Sequence, residues 1–205
     1  MQRRKWFEMM LGAALSLSAA GSARAQDASL ADKEKALAYL ETSKKGVLAA
    51  TKGLSEAQWN FKPAPDKWSV AECMEHVAAA EDFIRGLIAE NVMKSPAAPD
   101  RDIARIDAGI MAMVPDRTNK AQAPEPLKPT NRFGSPQGSI QHFVESRAKT
   151  EEFLKSTGDL RGHAADSPVG TKWDAYEFVL LIAAHSERHT KQIEEVKASP
   201  NFPLK

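Results

Sequence analysis

Cysteine is almost absent from the sequence: the 205 residues contain a single one, Cys73. A disulfide within the chain is therefore excluded, and stability has to come from a packed core or from a bound metal ion. A lone cysteine is usually a small core residue, and we predict that role for Cys73.

A long apolar run is also missing. Met9 to Ala20 is mildly apolar, but it is too short and too rich in small residues to span a membrane. The basic run Arg3-Arg4-Lys5 precedes it and Ala23-Arg24-Ala25 follows it, an order typical of a signal peptide. We predict a signal peptide over residues 1–25, cleaved after Ala25, and a periplasmic or secreted mature protein without stable membrane insertion. The paired arginines fit the twin-arginine route as well as the general one, so both stay open.

Beyond this segment no run of basic residues remains, and the four tryptophans are not interleaved with lysine or arginine. A nucleic-acid partner is therefore not expected. The expected partner is a small-molecule substrate, and a homodimer stays open. Residues 26–205 are numerous enough for a single domain with a sizeable core.

Four long segments show the apolar spacing of amphipathic helices, and no convincing strand alternation lies between them. They run from about Leu30 to Lys52, from Ser69 to Lys94, from Ser135 to Gly158 and from Asp174 to Ala198. The second and the fourth open with capping boxes, in which an early side chain accepts a backbone N–H and an acid three residues on bonds back. The sequence therefore predicts an all-α protein, a four-helix bundle.

The connection between the second and third helices is long, about 40 residues, and contains several prolines. Ile103 to Val114 can form a short extra helix inside it. A connection of this length can cross the bundle instead of turning back tightly, so the second and third helices can run in the same direction.

Histidines occupy core-facing places in two of these helices. His185 and His189 lie on the apolar seam that Phe178 and Ile182 begin, and His76 lies on the corresponding seam of the second helix. Residues four apart on a helix share a face, so both rings of the pair can reach one ion. A third histidine from a facing helix would leave a coordination position open, which is typical of catalytic sites. The alternative is a purely structural bundle in which the histidines bond each other and Gln192.

Other polar residues near these seams have two interpretations each. Glu72 is either a fourth ligand or general base, or simply the acid of its capping box, which we favour. Gln192 either orients a ligand or closes a helix–helix hydrogen bond, and we favour the orienting role. His142 and His163 lie off the seams, and we predict ordinary exposed residues for both.

Two motifs carry a resemblance to a known family. The first is Lys67-Trp68-Ser69 with a histidine, His76, seven residues after the serine; the second is the His-x-x-x-His-x-x-Gln pattern that ends at Gln192. In this order they resemble the DinB-like superfamily of metalloenzymes over roughly residues 30 to 198. The resemblance implies up-down-down-up connectivity. It also implies a divalent metal ion, commonly zinc or nickel, on His76, His185 and His189.

These observations lead to one functional hypothesis and one alternative from another class. The first is an exported metal-dependent enzyme, a hydrolase or thiol-linked transferase, that acts on a small molecule. The alternative is a non-catalytic metal- or ligand-binding bundle of the periplasm, which the scarcity of well-placed carboxylates favours.

Overall fold

The computed structural model of the chain describes residues 30–118 and 120–204. The predicted signal peptide and its cleavage site lie outside the described residues. Residues 36–205 form one compact unit, called the second unit because the chain before residue 36 is assigned separately. Helix α1 covers residues 30–51, of which 36–51 belong to the second unit.

The second unit is mainly helical. After α1 come the short α2 (Glu56–Asn60), the long α3 (Val70–Glu90), α4 (Ile103–Met113) and two further long helices, α5 (Pro136–Ser156) and α6 (Ala175–Lys197). Single 3-10 turns cover Val92–Lys94 and Glu125–Leu127. The four long helices, α1, α3, α5 and α6, confirm the predicted four-helix bundle. The up-down-down-up order remains a prediction.

The helix starts follow from local hydrogen bonding. Ser69 accepts the backbone N–H of Glu72, whose carboxylate accepts the N–H of Ser69 in return, and Asp174 and Glu177 do the same at the start of α6. Each capping box satisfies two of the amide donors that a helix start leaves free. These two boxes set the register of α3 and α6, and hence the positions of the three histidines.

A short hairpin precedes α6. Strands β1 (Ala164–Asp166) and β2 (Lys172–Asp174) pair in antiparallel register, with Ala165 opposite Trp173. The sequence predicts no strand here, because three residues are too few to show a clear alternation of apolar and polar side chains. The extra helix expected at Ile103–Val114 is confirmed as α4.

The core consists of two clusters of buried apolar residues. One surrounds Leu40 and Phe178 and the other surrounds Met74 and Phe143. Cys73 is fully buried in the second cluster, as predicted. Among the helices of the described residues, none combines the length and the apolar character that a membrane span requires.

Candidate metal centre

His76 lies on α3, two turns after the capping box at Ser69, and its side chain is buried. Its ring Nδ1 is 2.8 Å from the backbone carbonyl oxygen of Leu127. A carbonyl oxygen only accepts, so Nδ1 carries the proton and donates it. The tautomer of His76 is thereby fixed, and the lone pair of Nε2 is free to face the bundle interior.

His185 and His189 lie on successive turns of α6, facing His76. The Nε2 atom of His185 is 3.1 Å from Nε2 of His76 and 3.2 Å from Nε2 of His189. One ring nitrogen from each residue lies within 4.8 Å of the other two. We call this group, His76, His185 and His189, the three-histidine cluster; the structure brings together the three residues that the sequence singles out.

The spacing of the cluster fits a metal ion. Two imidazole nitrogens bound at about 2.0–2.1 Å to one ion, at octahedral to tetrahedral angles, lie about 2.9–3.4 Å apart. The two distances from Nε2 of His185 fall in that range. Imidazole nitrogens are ligands that suit several transition metals, among them zinc, nickel, copper and iron.

Burial keeps the cluster neutral. It lowers the pKa of His76, and together with the neighbouring His76 and Arg188 it lowers the pKa of His185 to about 3. Burial, followed by the charges that His185 and His76 would carry, holds the pKa of His189 well below its ordinary value. A neutral imidazole is the form that binds a metal ion, so the cluster is ready to act as a ligand set at neutral pH.

One wall of the cluster is aromatic. The ring of Trp68 lies 4.9 Å from the ring of His76 and 6.2 Å from that of His189, measured between centroids. Trp68 directly precedes the cap of α3, so the same local structure sets both the helix and this wall. The indole shields the two buried rings from solvent on that side.

Of the three cluster residues, His185 is partly exposed while His76 and His189 are buried. The segment after α4 packs against the next residues of α6. Arg188 donates to the carbonyl oxygens of Val114, at 3.2 Å, and of Asp116. A guanidinium and the backbone after α4 therefore lie close to the partly exposed member of the cluster.

Gln192 follows His189 by one turn of α6. Its side-chain Oε1 accepts from Nη1 of Arg117 at 3.2 Å, and Arg117 also pairs with Glu195 through Nε and Nη2 at 3.1 and 2.8 Å. Arg117 thus holds the amide of Gln192 near His189, and the orienting role of Gln192 stays a prediction.

Glu72 has the capping role that we favoured, and its other oxygen lies 2.8 Å from Nζ of Lys62. The expectation of ordinary exposed residues is wrong for His142 and His163. Nε2 of His142 pairs with Asp82 at 2.5 Å, and Nδ1 of His163 donates to the carbonyl oxygen of Ser95 at 2.6 Å. Both rings are partly buried because distant segments cover them.

Sequence reasoning missed two contributors to the site. One is the carbonyl of Leu127, a backbone group that no sequence motif marks. The other is Glu75, which precedes His76 in α3 and is buried although it is acidic. Thr130, Asn131 and Arg132 donate their backbone N–H groups to it. Burial alone would raise the pKa of Glu75, but these bonds and the Arg132 side chain bring it below its ordinary value.

Fold and site together define a helical bundle with a three-histidine cluster in its interior. The sequence model of the DinB superfamily matches residues 39–193, and the chain belongs to this superfamily. It is similar to YuaE of Bacillus subtilis strain 168, with 27% identity over 150 residues that cover 71% of this chain and 87% of YuaE.

A solved structure shows the same fold. YfiT from Bacillus subtilis aligns with a TM-score of 0.52 and 15% sequence identity, over 83% of this chain and 89% of YfiT. That protein is described as a probable metal-dependent hydrolase with an unusual four-helix bundle topology. At this level of identity the likeness establishes the fold.

Proposed function

We propose that the protein is an exported metal-dependent enzyme that acts on a small molecule through one zinc or nickel ion held by His76, His185 and His189. The observation that carries the proposal is the convergence of three neutral imidazoles, with Nε2 of His185 3.1 and 3.2 Å from its two neighbours. A neutral His185 carries a single ring proton and can donate it from Nε2 to only one of these two neighbours, whereas an ion would engage the lone pairs of all three rings at once.

Such an ion supplies Lewis acidity, which makes a nucleophile available at neutral pH. The chain itself supplies the setting. Leu127 fixes the ring of His76, Trp68 excludes water from one side, and the partly exposed His185 leaves an approach for a small molecule. Because three protein ligands leave coordination positions open, substrate can reach the ion.

Hydrolysis is the reaction we favour over thiol-linked transfer. YfiT, whose structure shares this fold, is described as a probable metal-dependent hydrolase. In addition, a protein that leaves the cytoplasm would meet little of the low-molecular-weight thiols that transfer chemistry requires. Both reactions would use the Lewis acidity of an ion held by His76, His185 and His189, so the cluster would serve either.

The test is a turnover assay on the full-length protein loaded with zinc or nickel, against chromogenic carboxylic, phosphoric and amide esters and a thiol-transfer pair. We expect activity that rises with metal content and is absent in His185→Ala. Loss of activity in the matched variant His163→Ala as well would contradict a role specific to the cluster. For export, protein recovered from the periplasm or medium should begin at Gln26.

A non-catalytic metal-binding role is the second candidate. Its support is that both carboxylates close to His76 on α3 already have partners: Glu72 caps the helix and Glu75 binds backbone N–H groups. Neither is available as a general base. One bound equivalent of metal without turnover on any substrate class would favour this role over the enzyme.

A further inference from the structure

The ring of His76 depends on a partner that lies far away in sequence. Its Nδ1–H donates to the carbonyl oxygen of Leu127, 51 residues further on, at 2.8 Å. Leu127 belongs to a segment without long helices, which we call the 125–132 loop. Whatever holds this loop in place therefore decides whether Nε2 of His76 presents a lone pair or a proton to His185 and His189.

One anchor of the loop is Glu75, the residue directly before His76. Its carboxylate accepts the backbone N–H groups of Thr130 at 2.7 Å, Asn131 at 2.8 Å and Arg132 at 3.1 Å. Asn131 has a φ of 61°, in the left-handed region that asparagine tolerates better than most residues. With that turn, three successive amides face one side and form a concave anion-binding site, which Glu75 fills.

The second anchor is Arg132. Its Nε donates to Glu75 at 3.2 Å, while Nη1 donates to the carbonyl of Pro126 at 2.9 Å and Nη2 to that of Lys128 at 2.6 Å. Pro126 and Lys128 are the two neighbours of Leu127. The guanidinium thus holds the peptide on each side of the carbonyl that His76 uses.

We propose that Glu75 and Arg132 are positioning residues of the three-histidine cluster, which act by holding the Leu127 carbonyl at Nδ1 of His76. The same turn of α3 then presents both a ring nitrogen to the cluster and the carboxylate that fixes the ring's partner. The effect on metal affinity rests on the proposed function, whereas the effect on the His76 tautomer does not.

Two variants test the proposal. Glu75→Gln keeps the size of the side chain but offers one acceptor oxygen instead of two. Arg132→Gln removes the guanidinium that donates to Glu75 and to the carbonyls of Pro126 and Lys128. Arg132 is partly exposed, so its variant tests the idea even if Glu75→Gln folds poorly. The matched control is Glu125→Gln, on the same loop, whose largely exposed carboxylate lies 2.6 Å from Nζ of Lys128.

The first readout is nitrogen NMR of the histidine rings in the metal-free, full-length protein. In the wild type and in Glu125→Gln we expect His76 to carry its proton on Nδ1. In Glu75→Gln and Arg132→Gln that signature should give way to a mixture of tautomers. If both variants keep the proton of His76 on Nδ1, even with a lowered melting temperature, the anchors are merely structural and the proposal is wrong.

The second readout is zinc affinity, measured by competition with a chromophoric chelator. Loss of a ring's hydrogen-bond partner typically weakens metal binding about 10–100-fold, and we expect this for both variants but not for Glu125→Gln. If the wild type binds zinc and both variants bind it equally well, the positioning role is wrong and the proposed function stands. If the wild type binds no metal, but His76 in both variants no longer keeps its proton on Nδ1, the positioning role stands and the proposed function is wrong.

Discussion

Arg147 and Glu81 face each other as a parallel pair at the centre of the bundle: Nε and Nη2 of the guanidinium each donate to a carboxylate oxygen at 2.8 Å. Both side chains are essentially inaccessible to solvent. The remaining donors of Arg147 reach the Leu40 carbonyl at 2.5 Å and the hydroxyls of Ser43 and Ser186 at 3.0 and 2.9 Å. One side chain of α5 is thus hydrogen-bonded to α1, α3 and α6.

This pair should be a major determinant of stability. Arg147→Met leaves the carboxylate of Glu81 buried without a countercharge, and we expect the free energy of unfolding to fall by about 3–5 kcal/mol. Urea unfolding followed by circular dichroism measures the change. In the double variant Arg147→Met/Glu81→Met, the free energy of unfolding should fall by less than the sum of the losses in the two single variants. A loss below about 1 kcal/mol in Arg147→Met would contradict a stabilising role of the buried pair.

The cap of α3 should be a smaller but measurable contribution. Ser69→Ala removes the acceptor of the Glu72 backbone N–H, and such losses cost about 1 kcal/mol. Thermal or urea unfolding detects this change. Ser156→Ala, at an exposed position at the end of α5, is the matched control and should change the free energy of unfolding by less than about 0.5 kcal/mol.

The metal-free protein should lose stability in mild acid. An unfolded histidine takes up a proton near pH 6.5, whereas His185 in the native bundle stays neutral down to about pH 3. Below pH 6.5 the unfolded state therefore binds more protons than the native state, and the free energy of unfolding falls as pH falls. Well above pH 7.5 the cluster adds little pH dependence, because the rings are neutral in both states there.

We expect a loss on the order of 1 kcal/mol for each cluster histidine between about pH 7.5 and pH 5.5, measured by urea unfolding after chelator treatment. The variant His185→Asn/His189→Asn, which has no titrating rings at these positions, should show a clearly weaker dependence. Glu177, whose pKa burial and the neighbouring Asp174 raise to about 7, titrates in both proteins and shifts stability in the opposite direction, so the difference between the two profiles measures the cluster. Identical profiles over this interval would mean that the cluster rings accept protons as freely as those of the unfolded chain.

The parts of the structure that the sequence predicts are those set by local interactions. Ser69 and Glu72 lie one turn apart and hydrogen-bond to each other, so the start of α3 can be inferred from the four-residue sequence 69–72. The shared face of His185 and His189 follows from helix geometry. His76 joins them because its own seam faces the same core.

The parts that the sequence does not predict depend on which segments meet across the bundle. The partner of His76 is a backbone carbonyl in a proline-rich connection, and any residue has a carbonyl, so no pattern marks Leu127. The sequence predicts an exposed His142 because the residue lies beside the apolar face of α5, not on it. Asp82 on α3 and the ring of Phe133 nevertheless cover the His142 ring. Such partners are decided by packing, which residue spacing alone does not specify.

The central claim is that the three-histidine cluster holds a metal ion, and elemental analysis tests it most directly. Tag-free protein from its native compartment is compared with His185→Ala/His189→Ala and with His163→Ala, whose ring bonds a backbone carbonyl outside the cluster. The account predicts about one equivalent of zinc or nickel in the wild type and in His163→Ala, and none in the double variant. A wild type without metal, even after reconstitution with zinc and nickel, would contradict it.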